Sequence, residues 1–343
     1  MDYTKLFIST SRRKIAYYRL GEGNKKKLIL IHGNVSSGAF YLPLMEKLSD
    51  EYDIVAPDLS GYGKTDPSPV DAKTGLLDWA NDIDSLAQEL GFDKFSLLGW
   101  SLGGGVAMRY AIEYSEKLDN LLLISPVSPF GFGGTYDVDG KMFDENGLGC
   151  AGGFVNNDFL NSLKSKDRGD GQSSMRFIMN NHYFKPGFKL DSELEELFLD
   201  EIFDMQIGPD YYAGDFKQLA EFPYALPGEH GFNNALAPQY CKLEGISDIE
   251  NKMKILWFRG DSDLIVADNS YYDFVYLGKI GAVPGYPGED KMPPQPMVSQ
   301  TRYVFDKYKQ NGGEYHEFII NDAGHSCHLE QEDEFVKIIR EHV

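Results

Sequence analysis

The amino-acid sequence predicts an α/β protein in which helices cover both faces of a parallel β-sheet. In the first 125 residues, and again after residue 253, short apolar stretches bounded by turn residues alternate with stretches of helical spacing. Such alternation is typical of a parallel sheet that is buried on both sides. Between these two parts the alternation stops, and glycine-rich and helical stretches take its place. We therefore expect one sheet interrupted by a long insertion.

The first part of the chain predicts an edge hairpin followed by parallel strands and helices. Residues 5–10 and 14–20 have the composition of two strands joined by a turn. Buried strands and helices then alternate. The strands are expected at residues 28–31, 54–57, 95–98 and 121–124, and the first two intervening helices at residues 40–49 and 76–90. The loop after residue 57 contains Gly-Lys-Thr but lacks the spacing of a phosphate-binding loop, so we interpret it as structural.

The middle of the chain predicts a helical cap over the carboxyl end of the sheet, where open α/β sheets bind ligands. We assign residues 1–129 and 246–343 to the core domain and residues 130–245 to the cap. Helical segments are expected at residues 157–165, 173–183 and 191–205. The last of these carries seven carboxylates: Asp191, Glu193, Glu195, Glu196, Asp200, Glu201 and Asp204. A solvated face explains them, and an attractor for a cationic substrate is the alternative.

The last part of the chain restores the alternation of strands and helices. A strand is expected at residues 255–258 and another at residues 315–321, with a helix at residues 298–309 between them. Residues 281–296 contain five prolines and are expected to form a rigid surface loop or part of the rim of the site. The chain closes with an amphipathic helix at residues 330–342.

Composition excludes several classes of protein. The 343 residues include 33 basic and 53 acidic side chains, for a net charge of −20, which argues against nucleic acid or an anionic membrane as the main partner. The three cysteines have no pairing pattern, and we expect neither a signal peptide at the N-terminus nor a membrane span. These features predict a cytoplasmic protein with a small-molecule substrate and no cofactor or metal. They do not indicate the oligomeric state.

Gly99-Trp100-Ser101-Leu102-Gly103 predicts a serine nucleophile. The motif follows an apolar strand and precedes a helix, which is the context in which Gly-x-Ser-x-Gly forms a sharp turn with the serine at its tip. Outside that context the same pattern marks ordinary turns. A serine hydroxyl needs an adjacent base, and the base needs a carboxylate that orients it.

Two later loops can supply these groups in the required order. His325 follows the last predicted strand and is our candidate for the base. Asp261 and Asp263 both follow the strand at residues 255–258, and we favour Asp263 as the acid because Asp261 is better placed to stabilise the turn. The backbone N–H groups of Leu102 and Asn34 are candidates for the oxyanion hole.

These motifs resemble those of the α/β-hydrolase superfamily, which includes esterases, C–C bond hydrolases and proline iminopeptidases. The matching residues are His32-Gly33-Asn34, Asp58-Leu-Ser-Gly-Tyr-Gly, Gly99-Trp-Ser-Leu-Gly, Gly260-Asp-Ser-Asp263 and Gly324-His325. The resemblance implies the α/β-hydrolase fold, with a mostly parallel eight-stranded sheet and a cap domain. It also implies that Ser101 is the nucleophile, Asp263 the acid, His325 the base, and Asn34 and Leu102 the oxyanion amides.

The chain departs from the family pattern in two informative ways. Serine stands where dehalogenases and epoxide hydrolases have aspartate, which counts against both activities. The separation of Asp263 from His325 is longer than usual, so residues 281–296 are interpreted as an insertion. Because the cap resembles that of no particular subfamily, the substrate is left open.

The leading hypothesis is a carboxylesterase-like serine hydrolase that acts on a small, apolar substrate. Trp100 is our candidate for a substrate contact. Aromatic residues of the cap could line the same pocket, although core packing also explains them. One alternative is an aminopeptidase of the proline iminopeptidase type that uses the carboxylates of the cap. The other is a hydrolase-like small-molecule binding protein.

Overall fold

An eight-stranded sheet, most of whose strands are parallel, forms the centre of the molecule. The computed structural model describes residues 3–343. The strands of the sheet are β1 (Leu6–Ser9), β2 (Lys14–Leu20), β3 (Lys26–Ile31), β4 (Tyr52–Pro57), β5 (Phe95–Trp100), β6 (Leu118–Ile124), β13 (Lys254–Gly260) and β14 (Glu314–Ile320). Their order across the sheet is β1-β2-β4-β3-β5-β6-β13-β14. Only the pairings of β2 with β1 and with β4 are antiparallel.

The burial of the strands follows their position in the sheet. Every residue of β4 and β5 is buried, since both are interior strands with covered faces. Strand β1, at one edge, is mostly exposed. Continuous apolar stretches therefore predict the interior parallel strands, as expected for sheets covered on both sides. The predicted hairpin, the parallel strands and the mostly parallel sheet of eight strands are confirmed.

Eleven α-helices occur in the described chain. They are α1 (Leu42–Leu48), α2 (Gly75–Glu89), α3 (Leu102–Tyr114), α4 (Asn157–Ser165), α5 (Met175–Ile178), α6 (Ser192–Ile202), α7 (Pro238–Cys241), α8 (Phe274–Lys279), α9 (Met297–Gln310), α10 (Cys327–Glu330) and α11 (Glu332–His342). Helices α2 and α3 pack together, and α3 also packs against β5. Gly91 has a positive φ and follows α2 directly after residue 90, the predicted end of that helix.

The segment of residues 130–245 connects β6 to β13, which are neighbours in the sheet. It contains helices α4 to α7, of which α4, α5 and α6 fall in the three predicted helical segments. It also contains short strands that the sequence did not predict. These strands are β7 (Thr135–Tyr136), β8 (Lys141–Met142), β9 (Ile207–Gly208), β10 (Tyr212–Ala213), β11 (Phe216–Gln218) and β12 (Ala225–Pro227). Strands of two or three residues are too short to show a period in the sequence. The division of the chain into a core domain and a cap stays a prediction.

The last predicted helix is present as α11, which begins two residues later than the predicted range. The sequence indicates one helix over residues 330–342, whereas the structure has the short α10 before α11, with Gln331 between them in a non-helical conformation. Helix α8 was not predicted either. Its N-cap, Asp273, accepts a hydrogen bond from the backbone N–H of Val275.

The three cysteines, Cys150, Cys241 and Cys327, are all buried and unpaired within residues 3–343. In the same part of the chain, none of the helices combines the length and the hydropathy that a membrane span requires. The expectation that the chain starts without a signal peptide rests in part on Met1 and Asp2, which lie outside the described residues.

Candidate active site

Ser101 lies at the tip of the sharp turn between β5 and α3. Its backbone has φ 57° and ψ −117°, a conformation that residues with a side chain rarely adopt. Hydrogen bonds hold the turn on both sides. The Ser101 N–H donates to the carbonyl oxygen of Ile124 at 2.9 Å, and the Ser101 carbonyl oxygen accepts from the N–H of Val127 at 3.1 Å. The end of β6 therefore fixes the strained residue.

Glycines let three pieces of backbone approach one another beside Ser101. A Cβ atom on Gly103 would lie 2.3 Å from the carbonyl oxygen of Ile31, and one on Gly99 would lie 2.2 Å from the carbonyl oxygen of Gly103. A Cβ atom on Gly33 would lie 3.2 Å from the Cβ of Ser101. The spacing of the glycines in the motif thus reflects close packing. The loop after β3 lies directly against Ser101.

Asp263 and His325 form a buried pair on the loops after β13 and β14. The Nδ1 atom of His325 lies 2.9 Å from Oδ2 of Asp263. The other oxygen of Asp263 accepts the backbone N–H groups of Ile265 and Val266, at 2.8 and 3.1 Å. Burial opposes ionisation of Asp263, but the charge and hydrogen bond of His325, together with these N–H groups, lower the pKa of its carboxyl below the usual value. The pair is therefore arranged to keep Asp263 ionised.

Asp261, the alternative acid, is exposed and supports the turn. Its oxygens accept the Ser262 hydroxyl at 2.8 Å and the backbone N–H of Asp322 at 3.1 Å. It makes no hydrogen bond to His325 in the described chain. The geometry therefore favours Asp263 over Asp261 as the partner of the histidine.

Trp100 connects the turn that carries Ser101 to the loop that carries His325. Its indole N–H donates to the carbonyl oxygen of His325 at 2.9 Å, and only 1% of its surface is exposed. The residue next to Ser101 therefore supports the backbone of His325. A direct contact between Trp100 and a substrate stays a prediction.

Residues 3–343 include no hydrogen bond between the Ser101 hydroxyl and His325, and such contacts commonly form only when substrate is bound.

The loop after β3 places Asn34 beside the Ser101 turn, and hydrogen bonds fix the Asn34 side chain. Oδ1 of Asn34 accepts the Tyr62 hydroxyl at 2.7 Å, and Nδ2 donates to Oδ1 of Asn233 at 2.8 Å. The Asn34 N–H makes no hydrogen bond in the described part of the chain, and the N–H of Leu102 begins α3, where it has no acceptor within the helix. Both groups are thus available to an incoming ligand.

His32, at the start of the same loop, stabilises it through hydrogen bonds of both ring nitrogens. Nε2 accepts the backbone N–H of Leu59 at 3.0 Å, so the neutral ring carries its proton on Nδ1, which lies 2.8 Å from the carbonyl oxygen of Gly33. Complete burial lowers the pKa of His32 to about 3. This histidine is therefore a neutral structural residue at neutral pH.

The sequence analysis missed several residues that hold the site together. Tyr62 lies in the Asp58-Leu-Ser-Gly-Tyr-Gly motif, in which the sequence assigns it no role, and Asn233 lies in a stretch without any motif. Nothing in the sequence indicates that either residue contacts Asn34. Across residues 3–343, no cluster of three or more His, Cys, Asp and Glu side chains has the geometry to bind a metal ion.

Comparison with known proteins identifies the family. Residues 26–277 match the model of the alpha/beta hydrolase fold, so the chain belongs to the α/β-hydrolase family. Among curated proteins, it is 34% identical over 104 residues to the pimeloyl-[acyl-carrier protein] methyl ester esterase of Aliivibrio salmonicida. That stretch covers 30% of this chain and 37% of the relative. It is 26% identical over 130 residues to the 2-hydroxy-6-oxo-6-phenylhexa-2,4-dienoate hydrolase of Burkholderia cepacia, over 36% of this chain and 45% of the relative.

Solved structures resemble the chain over nearly its whole length. A thermophilic esterase from Thermogutta terrifontis has a TM-score of 0.55 at 18% identity, covering 98% of this chain and 97% of that one. The carboxylesterase CesB of Bacillus subtilis has a TM-score of 0.58 at 15% identity, covering 99% and 91%. At these identities the similarity establishes the fold alone. The matched stretches of the curated relatives span less than half of their length.

Proposed function

We propose that the protein is a serine hydrolase that cleaves a carboxylic ester, or a related acyl bond, of a small, apolar substrate through an acyl-enzyme. One observation carries the proposal: the buried His325–Asp263 pair, 2.9 Å apart, is joined through Trp100 to a strained turn with Ser101 at its tip. A nucleophile, a base and an orienting carboxylate on three loops of one sheet edge form the arrangement that acyl transfer requires.

In the first step, the Ser101 hydroxyl attacks the substrate carbonyl carbon. Its proton passes to Nε2 of His325, a bond forms between Oγ and the carbon, and the carbonyl electrons move to oxygen. The N–H groups of Leu102 and Asn34 stabilise the oxyanion. The intermediate then expels the leaving group, which takes the proton from His325. A water molecule repeats the sequence on the acyl-enzyme and releases the acid.

The names of similar proteins support an acyl substrate. Relatives and structural neighbours include a methyl ester esterase and a carboxylesterase, together with a hydrolase of a dienoate. Two of these three are named as esterases and one as a hydrolase. An ester is therefore our first choice for the scissile bond.

The aminopeptidase alternative is weakened by the ion pairs of α6, the acidic helix of the 130–245 segment. Glu195 and Glu196 both pair with Arg176, and Asp200 pairs with Arg168. Charges that are already compensated within the protein attract a substrate ammonium group less strongly. The ordered His325–Asp263 pair argues against the binding-protein alternative. Covalent labelling of Ser101 tests that alternative directly.

Labelling with a fluorophosphonate probe tests the proposal. We expect stoichiometric labelling of the wild type and none of Ser101→Ala. Ser11→Ala, which changes an exposed serine in the β1–β2 turn, is the matched control and should label fully. A folded wild-type protein that the probe does not label contradicts the proposal.

A substrate panel separates the enzymatic alternatives. We expect p-nitrophenyl esters of short and medium acyl chains to be hydrolysed, and amino-acyl p-nitroanilides to be left intact. Turnover of the proline anilide in the absence of ester turnover would favour the aminopeptidase.

A further inference from the structure

Glu330, at the end of α10, joins two backbone segments through its two carboxylate oxygens. Oε2 accepts the N–H of Gly324, the residue directly before His325, at 2.8 Å. Oε1 accepts the N–H of Lys185, which belongs to the 130–245 segment, at 2.6 Å. Glu330 is 9% exposed. One buried carboxylate thus links the histidine loop to a distant part of the chain.

The stretch of residues 183–185, which we call the bridging stretch, makes further contacts with both halves of the candidate site. The Tyr183 carbonyl oxygen accepts the N–H of Ser326 at 3.0 Å, and the Tyr183 hydroxyl donates to the carbonyl oxygen of Asn34 at 2.9 Å. A Cβ atom on Gly324 would lie 2.7 Å from the nitrogen of Lys185. The bridging stretch therefore contacts the residues on either side of His325 and the proposed oxyanion residue.

Some neighbours of Glu330 disfavour ionisation of its carboxyl, and others favour it. Burial raises the pKa of the Glu330 carboxyl, and the nearby charge of Asp263 raises that pKa further. The N–H groups of Lys185 and Gly324 and the charge of His325 lower it. The net pKa is about 7. The side chains of Cys327 and Lys185 also face it. The carboxylate therefore changes its charge in the neutral range, next to the pair that we assign to catalysis.

We propose that Glu330 is a positioning residue, whose carboxylate places His325 for proton transfer by holding its loop against the bridging stretch. This inference rests on the proposed function. A carboxylate offers an acceptor to each of the two N–H groups. A protonated carboxyl or an amide has one good acceptor oxygen, so one of the N–H groups loses its partner and the loop can shift.

Glu330→Gln tests the proposal because the amide has the same shape but only one acceptor oxygen. We expect kcat for an ester to fall about tenfold, the order of effect expected when a hydrogen bond to a charged group is lost. KM should stay within about twofold, since Glu330 does not touch the substrate. Glu334→Gln, four residues further on and exposed, removes the same charge and should match the wild type. If the kcat of Glu330→Gln equals that of the wild type, the proposal is wrong.

The pH profile distinguishes positioning from a general loss of stability. Neutral glutamine resembles protonated Glu330 at every pH. The wild-type kcat divided by the Glu330→Gln kcat should therefore be largest above pH 7, where Glu330 is ionised, and fall towards one below it, with a midpoint near the pKa of about 7. A ratio that does not change with pH contradicts the proposal.

A measurement without turnover separates this inference from the proposed function. In the wild type, the amide NMR signals of Gly324 and Lys185 should titrate together, with a midpoint near the same pKa of about 7. The experiment does not depend on the folding of a variant or on activity. If the signals titrate but the probe does not label Ser101, the hydrolase proposal fails and the Glu330 link stands. If the signals do not titrate, the inference fails.

Discussion

Ser101 and His325 are held by backbone contacts that do not depend on a substrate. The strained φ of Ser101 is fixed by hydrogen bonds to the end of β6, and the carbonyl oxygen of His325 accepts the indole N–H of Trp100. Strain of this kind persists only where the surrounding structure enforces it. The two candidate catalytic residues are therefore organised in advance, as the proposed catalysis would require.

Asp263→Asn should abolish most activity without unfolding the protein. An amide can still accept the N–H groups of Ile265 and Val266, but it cannot stabilise a protonated His325. We expect kcat to fall by about three to four orders of magnitude, as for other triads that lose their carboxylate. Steady-state kinetics on the best ester of the panel provides the measurement.

Asp261→Asn is the matched control for this variant. It removes the same charge two residues earlier, from an exposed side chain, and should leave kcat within about twofold. A larger loss in Asp261→Asn than in Asp263→Asn would reverse our assignment of the acid.

The candidate catalytic residues can be recognised in the sequence, whereas the residues that support them cannot. Ser101, Asp263 and His325 each follow a recognisable strand, and their order along the chain is informative. Their roles stay predictions, but the structure brings Asp263 and His325 together. Glu330 had been placed at the start of the last predicted helix, and nothing in the sequence connects it to Lys185. Such a contact depends on how distant loops pack.

At the level of elements, a charge cluster with little exposure to solvent joins helix α6 to Lys5, the residue directly before strand β1, and to strand β2. Lys5 pairs with Asp58 at 2.6 Å and with Glu201, and Glu201 also accepts the Tyr18 hydroxyl at 3.0 Å. The side chains of Lys5 and Glu201 are only 9% and 8% exposed. This cluster links the acidic helix to the edge of the sheet.

Glu201→Gln should destabilise the protein by about 1–3 kcal/mol. The loss is smaller than usual for a broken buried pair, because Asp58 still faces Lys5. Urea denaturation measures the change in the free energy of unfolding.

Asp200→Asn, one residue earlier on α6, breaks only the exposed pair with Arg168. It should cost less than about 1 kcal/mol. Equal losses in the two variants would show that the buried cluster contributes no more than a surface ion pair.

Helices and strands can be predicted from the sequence where the pattern of apolar residues extends over enough positions. The helices α2, α6 and α9 have apolar stripes, and the interior strands are continuous apolar stretches, so their positions follow from the sequence. The pairs of short strands in the 130–245 segment carry no such period. Gln331, which separates α10 from α11, is neither glycine nor proline, so the break has no local signal.

For the whole molecule, the net charge of −20 creates a field that a charged substrate experiences before it binds. We expect a cationic ester to have a higher kcat/KM than an anionic ester of the same shape at low salt. The ratio should shrink several-fold between about 10 and about 150 mM salt, because screening shortens the range of the field. Stopped-flow or steady-state kinetics on the matched pair gives the ratio.

A neutral ester of the same shape is the reference for this comparison. Its kcat/KM should not change with salt over the same range. A cation-to-anion ratio that is independent of salt would show that the approach to the site is shielded from the net charge.

The bridging stretch limits how far this protein can be recombined with its relatives. Exchanging the 130–245 segment for that of another α/β-hydrolase is an obvious way to change specificity. A graft that omits residues 183–185 would leave Oε1 of Glu330 and the carbonyl oxygen of Asn34 without the partners that this stretch supplies, even if its pocket were well formed. A chimera should therefore take its substrate-facing surface from the donor and keep Tyr183–Phe184–Lys185 from the recipient.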